Sequence, residues 1–451
     1  MIDPLVINRQ PAAGRLAFVI DHVARSEPSR PAVVGSAGSP SRTVVSYASL
    51  ADLVARCAAA LAEAKPPGVV VRATTPEAII AAAAASGREG VSVALLSEDA
   101  LDLVGELRDW AVVNDSLDVL TPTRQRAVGG HDEPPHVVVA TSGTAGPPKL
   151  VYRTWDAVLA AARLSEQWFG LRWLLAYDAT RWAGIQVWSQ SLLTAGCLVA
   201  PASRDPDTVA RALGEEHVSI LPSTPTLLRR LVSFADHGLL KAAAVERITL
   251  GGEVADGPLL RQAKAAFPNA RLSHVYATTE LGEVFRVSDG EPGFPAAWMN
   301  RELPGGVRLS TRRDGELIVQ LSRDSADVPT GDIVEQRGER YEFTGRRSDV
   351  IVVGGAKVFP RRVEETMRGV MGVAEARVFG YPSAITGELV AAEIVLTDPL
   401  PEGATPESVR AAAFGACRDA LEPHSVPRIL DIVRQIAVTT AGKTPRRKAP
   451  V

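Results

Sequence analysis

The chain has 451 residues, 46% of them hydrophobic and 22% charged, with a formal net charge of −3. That length exceeds what one hydrophobic core fills, about 250–300 residues, so two or more domains are expected. The near-balanced charge excludes the basic face of a nucleic-acid binder, and the cysteines Cys57, Cys197 and Cys417, without CxxC spacing, exclude a disulfide framework and a structural zinc site.

The N-terminal MIDPLVINRQ carries no signal-peptide pattern. The longest apolar run, AIIAAAAASG, is shorter than the ~18–20 residues that span a bilayer, so a cytoplasmic protein without membrane association is expected. Short apolar runs, GVVV (68–71), VSVALL (91–96), HVVVA (136–140), WLLAY (173–177) and RITL (247–250), alternate with Ala- and Leu-rich segments of helical period such as SLADLVARCAAALAEA. That alternation predicts α/β structure with largely buried strands. After about residue 300 short half-polar strands between glycines and charged turns predict a more antiparallel portion, and the last hundred residues read as a small α+β domain.

TSGTAGPPKL (141–150) follows the apolar VVVA and crowds hydroxyls, glycines, prolines and one lysine together. A strand entering such a loop and leaving into a helix, here expected near Thr154, aims N–H groups and hydroxyls at phosphate oxygens, with Lys149 as a mobile charge. The same residue types also serve ordinary surface turns. It is not a Walker A loop, because its lysine follows Pro148; GKT (442–444) fails too, because Ala437 stands where the first glycine is required.

HVYATTELGEV (274–284) sets hydroxyls beside Glu280, a carboxylate suited to holding Mg2+ against phosphates or to sitting solvated in a loop. In PTGDIVE (329–335) Asp332 follows a glycine turn, where its oxygens suit either two ribose hydroxyls or an Asx turn. FTGRRSDVIVVGGAKVFPRRVEE (343–365) reads as a hinge or as a basic hairpin. His131 and His136 flank DEPP without metal-ligand geometry and read as a loop before a strand.

Together these stretches resemble the adenylate-forming superfamily of acyl-CoA synthetases, luciferases and peptide-synthetase adenylation domains, with motifs in the family's order from residue 141 to 446. TSGTAGPPK is similar to its phosphate loop, usually TSGTTGxPKG, with Ala145 and Leu150 as departures. The resemblance assigns Thr141, Ser142, Gly143, Thr144, Gly146 and Lys149 to the phosphates of ATP. LGGE, with Gly251, Gly252 and Glu253, resembles the adenine-flanking segment. YATTE resembles YGxTE, which puts Tyr276, Ala277 and Thr278 beside the nucleotide, Thr279 at the α-phosphate and Glu280 toward Mg2+. TGD carries the ribose aspartate, Asp332, and GRRSD the ribose arginine, Arg346. The hinge position falls on Ser348, beside Asp349, and TTAGKTPRR resembles TxxGKxxR, which makes Lys443 the catalytic lysine.

What the resemblance implies is an α/β fold: a large N-terminal adenylation core (1–347) of mixed, mostly parallel sheets with flanking helices and a small antiparallel barrel-like portion, and a mobile α+β C-terminal domain (348–451). It implies activation of a carboxylic acid by ATP and Mg2+ to an acyl-adenylate, then transfer to an acceptor. Coenzyme A is favoured, with Gly355 leaving room for its pantetheine arm; a free-standing carrier protein or a nitrogen nucleophile is the alternative, as is a nucleotide binder without turnover. The acid pocket is expected from Arg181, Trp182, Gly184, Gly251, Ala277 and Leu281. Trp182 and Ala277 favour a small or aromatic acid, although Trp182 reads more readily as core, and Arg181 is expected to meet a second polar group on the acid, to form a buried structural ion pair or to lie on the surface.

Overall fold

The computed structural model describes residues 2–121, 134–141 and 149–436. The chain divides into two compact units: Met1–Ser223 with Gly238–Thr249 and Thr278–Glu283, and Thr224–His237 with Leu250–Ala277 and Val284–Val451.

In the first unit the valine-rich runs become strands buried on both faces, as a parallel sheet covered by helices requires. Gly68–Val71 lies between Ser92–Leu95 and Ala111–Val113, parallel to both, and Ser92–Leu95 is parallel to His136–Ala140. Val119–Leu120 and Leu150–Thr154 close the two edges of this six-stranded sheet, each antiparallel to its neighbour. Val69, Val70, Val71, Val137, Val138 and Val139 are fully buried. The apolar run in Pro76–Glu89 is a helix buried from Ala78 to Gly87, so its all-round hydrophobicity serves the core. No helix among the described residues is long and apolar enough to cross a membrane.

A second set of strands in this unit runs Thr43–Ser46, Pro31–Ala37, Cys197–Pro201, Arg172–Leu174, Ile220–Ser223; the first pairing is antiparallel and the others parallel.

The second unit contains the antiparallel portion, five strands in the order Phe294–Pro295, Arg340–Arg346, Val328–Arg337, Glu316–Gln320, Arg308–Thr311. From Ile351 onward a further sheet pairs Ala356–Val358, Ile351–Val353, Gly387–Leu396 and Val373–Ser383, with Ile429–Ile432 parallel to Gly387–Leu396. Pro360–Arg368 and Pro406–Ala420 supply Val363, Met367, Val409, Ala413 and Cys417 to a core shared with this sheet. The expected boundary between 347 and 348 falls in the short turn Arg347–Asp349, where the Ser348 hydroxyl donates to Asp349 Oδ1 (2.9 Å).

One buried carboxylate ties several elements of this unit. Asp256 Oδ2 accepts from Arg229 Nη2 and from Arg368 Nη1, each at 2.7 Å, while Oδ1 accepts from the Leu259 N–H at 3.0 Å and caps the helix Gly257–Ala266. Arg368 also reaches Glu364, whose other oxygen accepts from the Val378 N–H.

The three cysteines are buried and unbridged: Cys57 in the helix Tyr47–Ala64, Cys197 opening the strand Cys197–Pro201, and Cys417 in Pro406–Ala420.

Candidate active site

The hydroxyl- and glycine-rich loop opens and closes on a mutual pair: the Thr141 N–H donates to the Lys149 carbonyl, and the Lys149 N–H to Thr141 Oγ1, both at 3.0 Å. Ser142, Gly143, Thr144 and Gly146 lie outside the described residues, as does Lys443. The helix begins where it was expected, after Thr154, but an unforeseen strand comes first: Leu150–Thr154 is antiparallel to His136–Ala140, from Ala140 opposite Leu150 to His136 opposite Thr154. The Val151–Thr154 stretch carries side chains that suit a pleated surface, and it completes the sheet edge before Thr154 caps the helix Trp155–Leu159 by accepting from the Ala157 N–H.

In the second unit, three residues expected around the nucleoside come together. Asp332 and Arg346 stand opposite each other on the paired strands Val328–Arg337 and Arg340–Arg346, and Tyr276 lies on Arg271–Thr278. The Tyr276 hydroxyl donates to Asp332 Oδ2 at 2.7 Å, and Arg346 Nε donates to Oδ1 at 2.8 Å. The Asp332 N–H donates to Thr330 Oγ1, and Gly331, at φ 74°, donates to Glu316 Oε1, so the turn before the aspartate is fixed as well.

Burial raises the Tyr276 phenol well above its usual range, and the Asp332 charge adds to this. Burial works against the Arg346 charge, but the attraction of Asp332 outweighs it and raises its pKa. The Tyr276 ring packs against Phe285 and Phe343, with centroids 5.2 and 5.1 Å away. These phenylalanines carried no signal in the sequence: Phe285 comes from the strand beside that of Tyr276, and Phe343 from a strand of another sheet that packs against it.

The turn Thr278–Gly282 belongs to the first unit. Thr278 Oγ1 accepts from the Leu281 N–H at 3.0 Å, and Gly282 takes φ 76°. The Glu280 side chain is exposed and Thr279 half-buried. The Glu280 carbonyl accepts from Arg153 Nη1, and the Arg153 guanidinium lies 5.2 Å from the Trp182 ring. Arg153 was not singled out in the sequence.

Arg181 precedes the helix Trp182–Leu193 without capping it and pairs with Asp99, its Nη2 2.6 Å from both carboxylate oxygens. A Cβ on Gly184 would fall 1.9 Å from the Asp178 carbonyl, so this glycine is required for the helix to approach the preceding loop.

Among the other expected residues, Gly252 sits at φ 83°, and Glu253 Oε2 accepts from the Thr226 N–H (3.1 Å) at the start of the helix Pro225–Phe234. Gly251 and Ala277 are half-buried. Gly354 and Gly355, at φ 57° and 87°, form the two-residue tip of the hairpin in which Val353 pairs with Ala356, the left-handed pair that a type I′ turn needs. His136 begins a strand, and no group of three or more His, Cys, Asp or Glu side chains suited to a metal occurs among the described residues. A single carboxylate such as Glu280 fits a cation that shares its coordination with phosphates and water.

The fold and this constellation define an adenylate-forming protein. The chain belongs to the AMP-binding enzymes: that family's model matches residues 69–306, and the model of the AMP-binding enzyme C-terminal domain matches 362–443. Among its relatives is the 2-succinylbenzoate–CoA ligase of Geobacillus kaustophilus, 28% identical over 353 residues that cover 69% of this chain and 68% of that protein. The mitochondrial acyl-coenzyme A synthetase ACSM4 of Rattus norvegicus is 25% identical over 351 residues, 69% of this chain and 60% of the rat protein. The structure of the amide bond synthetase McbA from Marinactinospora thermotolerans superposes with a TM-score of 0.71 over 96% of this chain and 98% of that one, at 25% identity.

Proposed function

We propose that this enzyme activates a small or aromatic carboxylic acid with ATP, releasing pyrophosphate, and then passes the acyl group to coenzyme A, releasing AMP. The observation that carries the reading is the Tyr276–Asp332–Arg346 cluster. An ionised carboxylate offers about four acceptor sites, and Tyr276 and Arg346 each use one, so Asp332 is held rigidly with capacity left for two ribose hydroxyls. The relatives named as CoA ligases support the same reading.

The acid needs no general base, because a carboxylic acid with pKa near ~4 is already ionised at neutral pH. Its oxygen attacks the α-phosphorus, and the bond to pyrophosphate breaks as that group leaves. Two anions must meet, so charge has to be neutralised where they do. Thr279 would donate to the α-phosphate, Lys443 would reach both the carboxylate and the α-phosphate, and Thr141–Lys149 would hold the outer phosphates. Glu280 would hold Mg2+, which would supply further neutralisation of the leaving group. In the second step the coenzyme A sulfur attacks the acyl carbon, its proton is released to solvent, and AMP departs with the electron pair. Residues 348–451 would turn about Ser348 and Asp349 between the two steps, with the pantetheine arm passing Gly355. A second reading, with an amine as acceptor, is favoured by the likeness to the amide bond synthetase.

ATP–pyrophosphate exchange with Mg2+, across short-chain, long-chain, aryl and amino acids and without coenzyme A, tests activation alone. Addition of coenzyme A or amines, followed by mass analysis of the product, then identifies the acceptor. Lys443→Ala is expected to lower exchange by about a hundredfold or more while ATP still binds. Tyr276→Phe is expected to raise the KM for ATP about tenfold, since a hydrogen bond to a charged carboxylate contributes ~1.5–3 kcal/mol. Silence across the panel with ATP binding intact would instead favour a nucleotide-binding protein without turnover.

A further inference from the structure

The strand leaving the phosphate-type loop carries an inward-turned cation. Tyr152 is exposed, and its neighbour Arg153, on the opposite face of the pleat, is half-buried. Arg153 Nη1 donates to the Glu280 carbonyl, its guanidinium lies against Trp182, and its Nη2 is 3.6 Å from where a Cβ on Gly282 would be. Its Nε is buried and has no hydrogen-bond partner among the described residues. Nor does any carboxylate among them lie within ion-pair distance of it, although the Glu280 charge acts on it from farther away.

What sets Arg153 apart from the neighbouring arginines is the lack of a carboxylate at ion-pair distance: Arg181 pairs with Asp99 at 2.6 Å, and Arg163 lies 3.9 Å from Glu283. Leaving a guanidinium donor buried without an acceptor is costly unless a ligand supplies one. The ligand that suits a planar fork of N–H groups beside an indole is a carboxylate with an apolar or aromatic body. Trp182 and the turn bearing Glu280, expected respectively at the acid pocket and near the reacting phosphate, both touch Arg153.

We propose that Arg153 determines acid specificity by receiving a second carboxylate on the substrate, so that the preferred acids are short or aromatic dicarboxylates. This rests on the adenylation reading for the fate of the first carboxylate, but not for binding of the second.

The test compares matched pairs: butyrate with succinate and glutarate, and benzoate with the three benzenedicarboxylates. ATP–pyrophosphate exchange gives kcat/KM, and the shift in Tm on adding each acid gives binding without turnover. In the unaltered enzyme the best dicarboxylate is expected to exceed its monocarboxylate partner at least about tenfold in kcat/KM, the size of one charge-assisted contact. Arg153→Gln should reduce that ratio by a similar factor, and Arg153→Lys should fall between. Only the unaltered enzyme and the lysine variant should gain Tm from the dicarboxylate.

Equal loss for both members of a pair in Arg153→Gln would overturn the proposal in favour of a general charge role. A ratio near one in the unaltered enzyme would overturn it as well. If the glutamine variant does not fold, the ratio in Arg153→Lys and the Tm shifts of the unaltered enzyme decide. Dicarboxylate-specific stabilisation that depends on Arg153, with no exchange by any acid, would keep this assignment and remove adenylation. Exchange by monocarboxylates alone, with no stabilisation by dicarboxylates, would do the reverse, and neither signal would remove both.

Discussion

Asp256 carries two guanidinium groups on one oxygen in a site that is almost water-free. Burial alone would push its carboxyl up, but Arg229 and Arg368 more than offset this and hold it well below the usual carboxylate range. A carboxyl that titrates lower in the folded chain than in the unfolded one stabilises the fold above the unfolded pKa, about 3.9, and loses that contribution as pH falls toward the folded value. Urea unfolding at stepped pH is therefore expected to show stability dropping below about pH 4, with a shallower acid limb in Asp256→Ala. At neutral pH that variant should lose about 3–5 kcal/mol, because the buried Arg229 loses its carboxylate while Arg368 keeps its pairing with Glu364.

The residues of this network were not legible in the sequence, and neither was Asp99 as the partner of Arg181. Single charges do not announce partners that register and crossover place beside them. That Asp332, Arg346 and Tyr276 come together was legible, because each sits in a short motif that resembles one of the family's.

At the scale of elements, glycines separate two kinds of legibility. Gly184 was read as part of an acid pocket, yet its nearest demand is the Asp178 carbonyl, which no sequence pattern reveals. Gly355 was read as clearance for a thiol-bearing arm and also meets the left-handed demand of a hairpin tip. These two roles can be parted, since a Cβ on Gly355 meets nothing within 4 Å. Gly355→Ala should cost about 1 kcal/mol in stability from backbone conformation alone, measured by denaturant unfolding. If the arm passes there, the ratio of thioester formation to exchange should also fall several-fold. An unchanged ratio would leave only the turn. The edge strand Leu150–Thr154 was missed for a related reason: five residues after a Pro-rich loop show no period long enough to separate a strand from the start of a helix.

Across the whole molecule, the α/β alternation, the antiparallel stretch after residue 300 and a C-terminal sheet with its own core all followed from texture in the sequence. The order of strands did not, because a parallel sheet is closed by crossovers that leave no local mark. The buried thiols turn this architecture into something measurable. Burial pushes Cys57, Cys197 and Cys417 each up to about 11, so an alkylating reagent near pH 8 should find almost no thiolate in the native chain. As denaturant rises, each label should appear when its own surroundings open, and peptide mass analysis would assign it. Cys417 modified ahead of Cys57 and Cys197 would show the C-terminal core melting by itself; simultaneous labelling would show one cooperative transition. The chain thus carries three sealed fuses, and the order in which they blow would chart its weakest joints without an added probe.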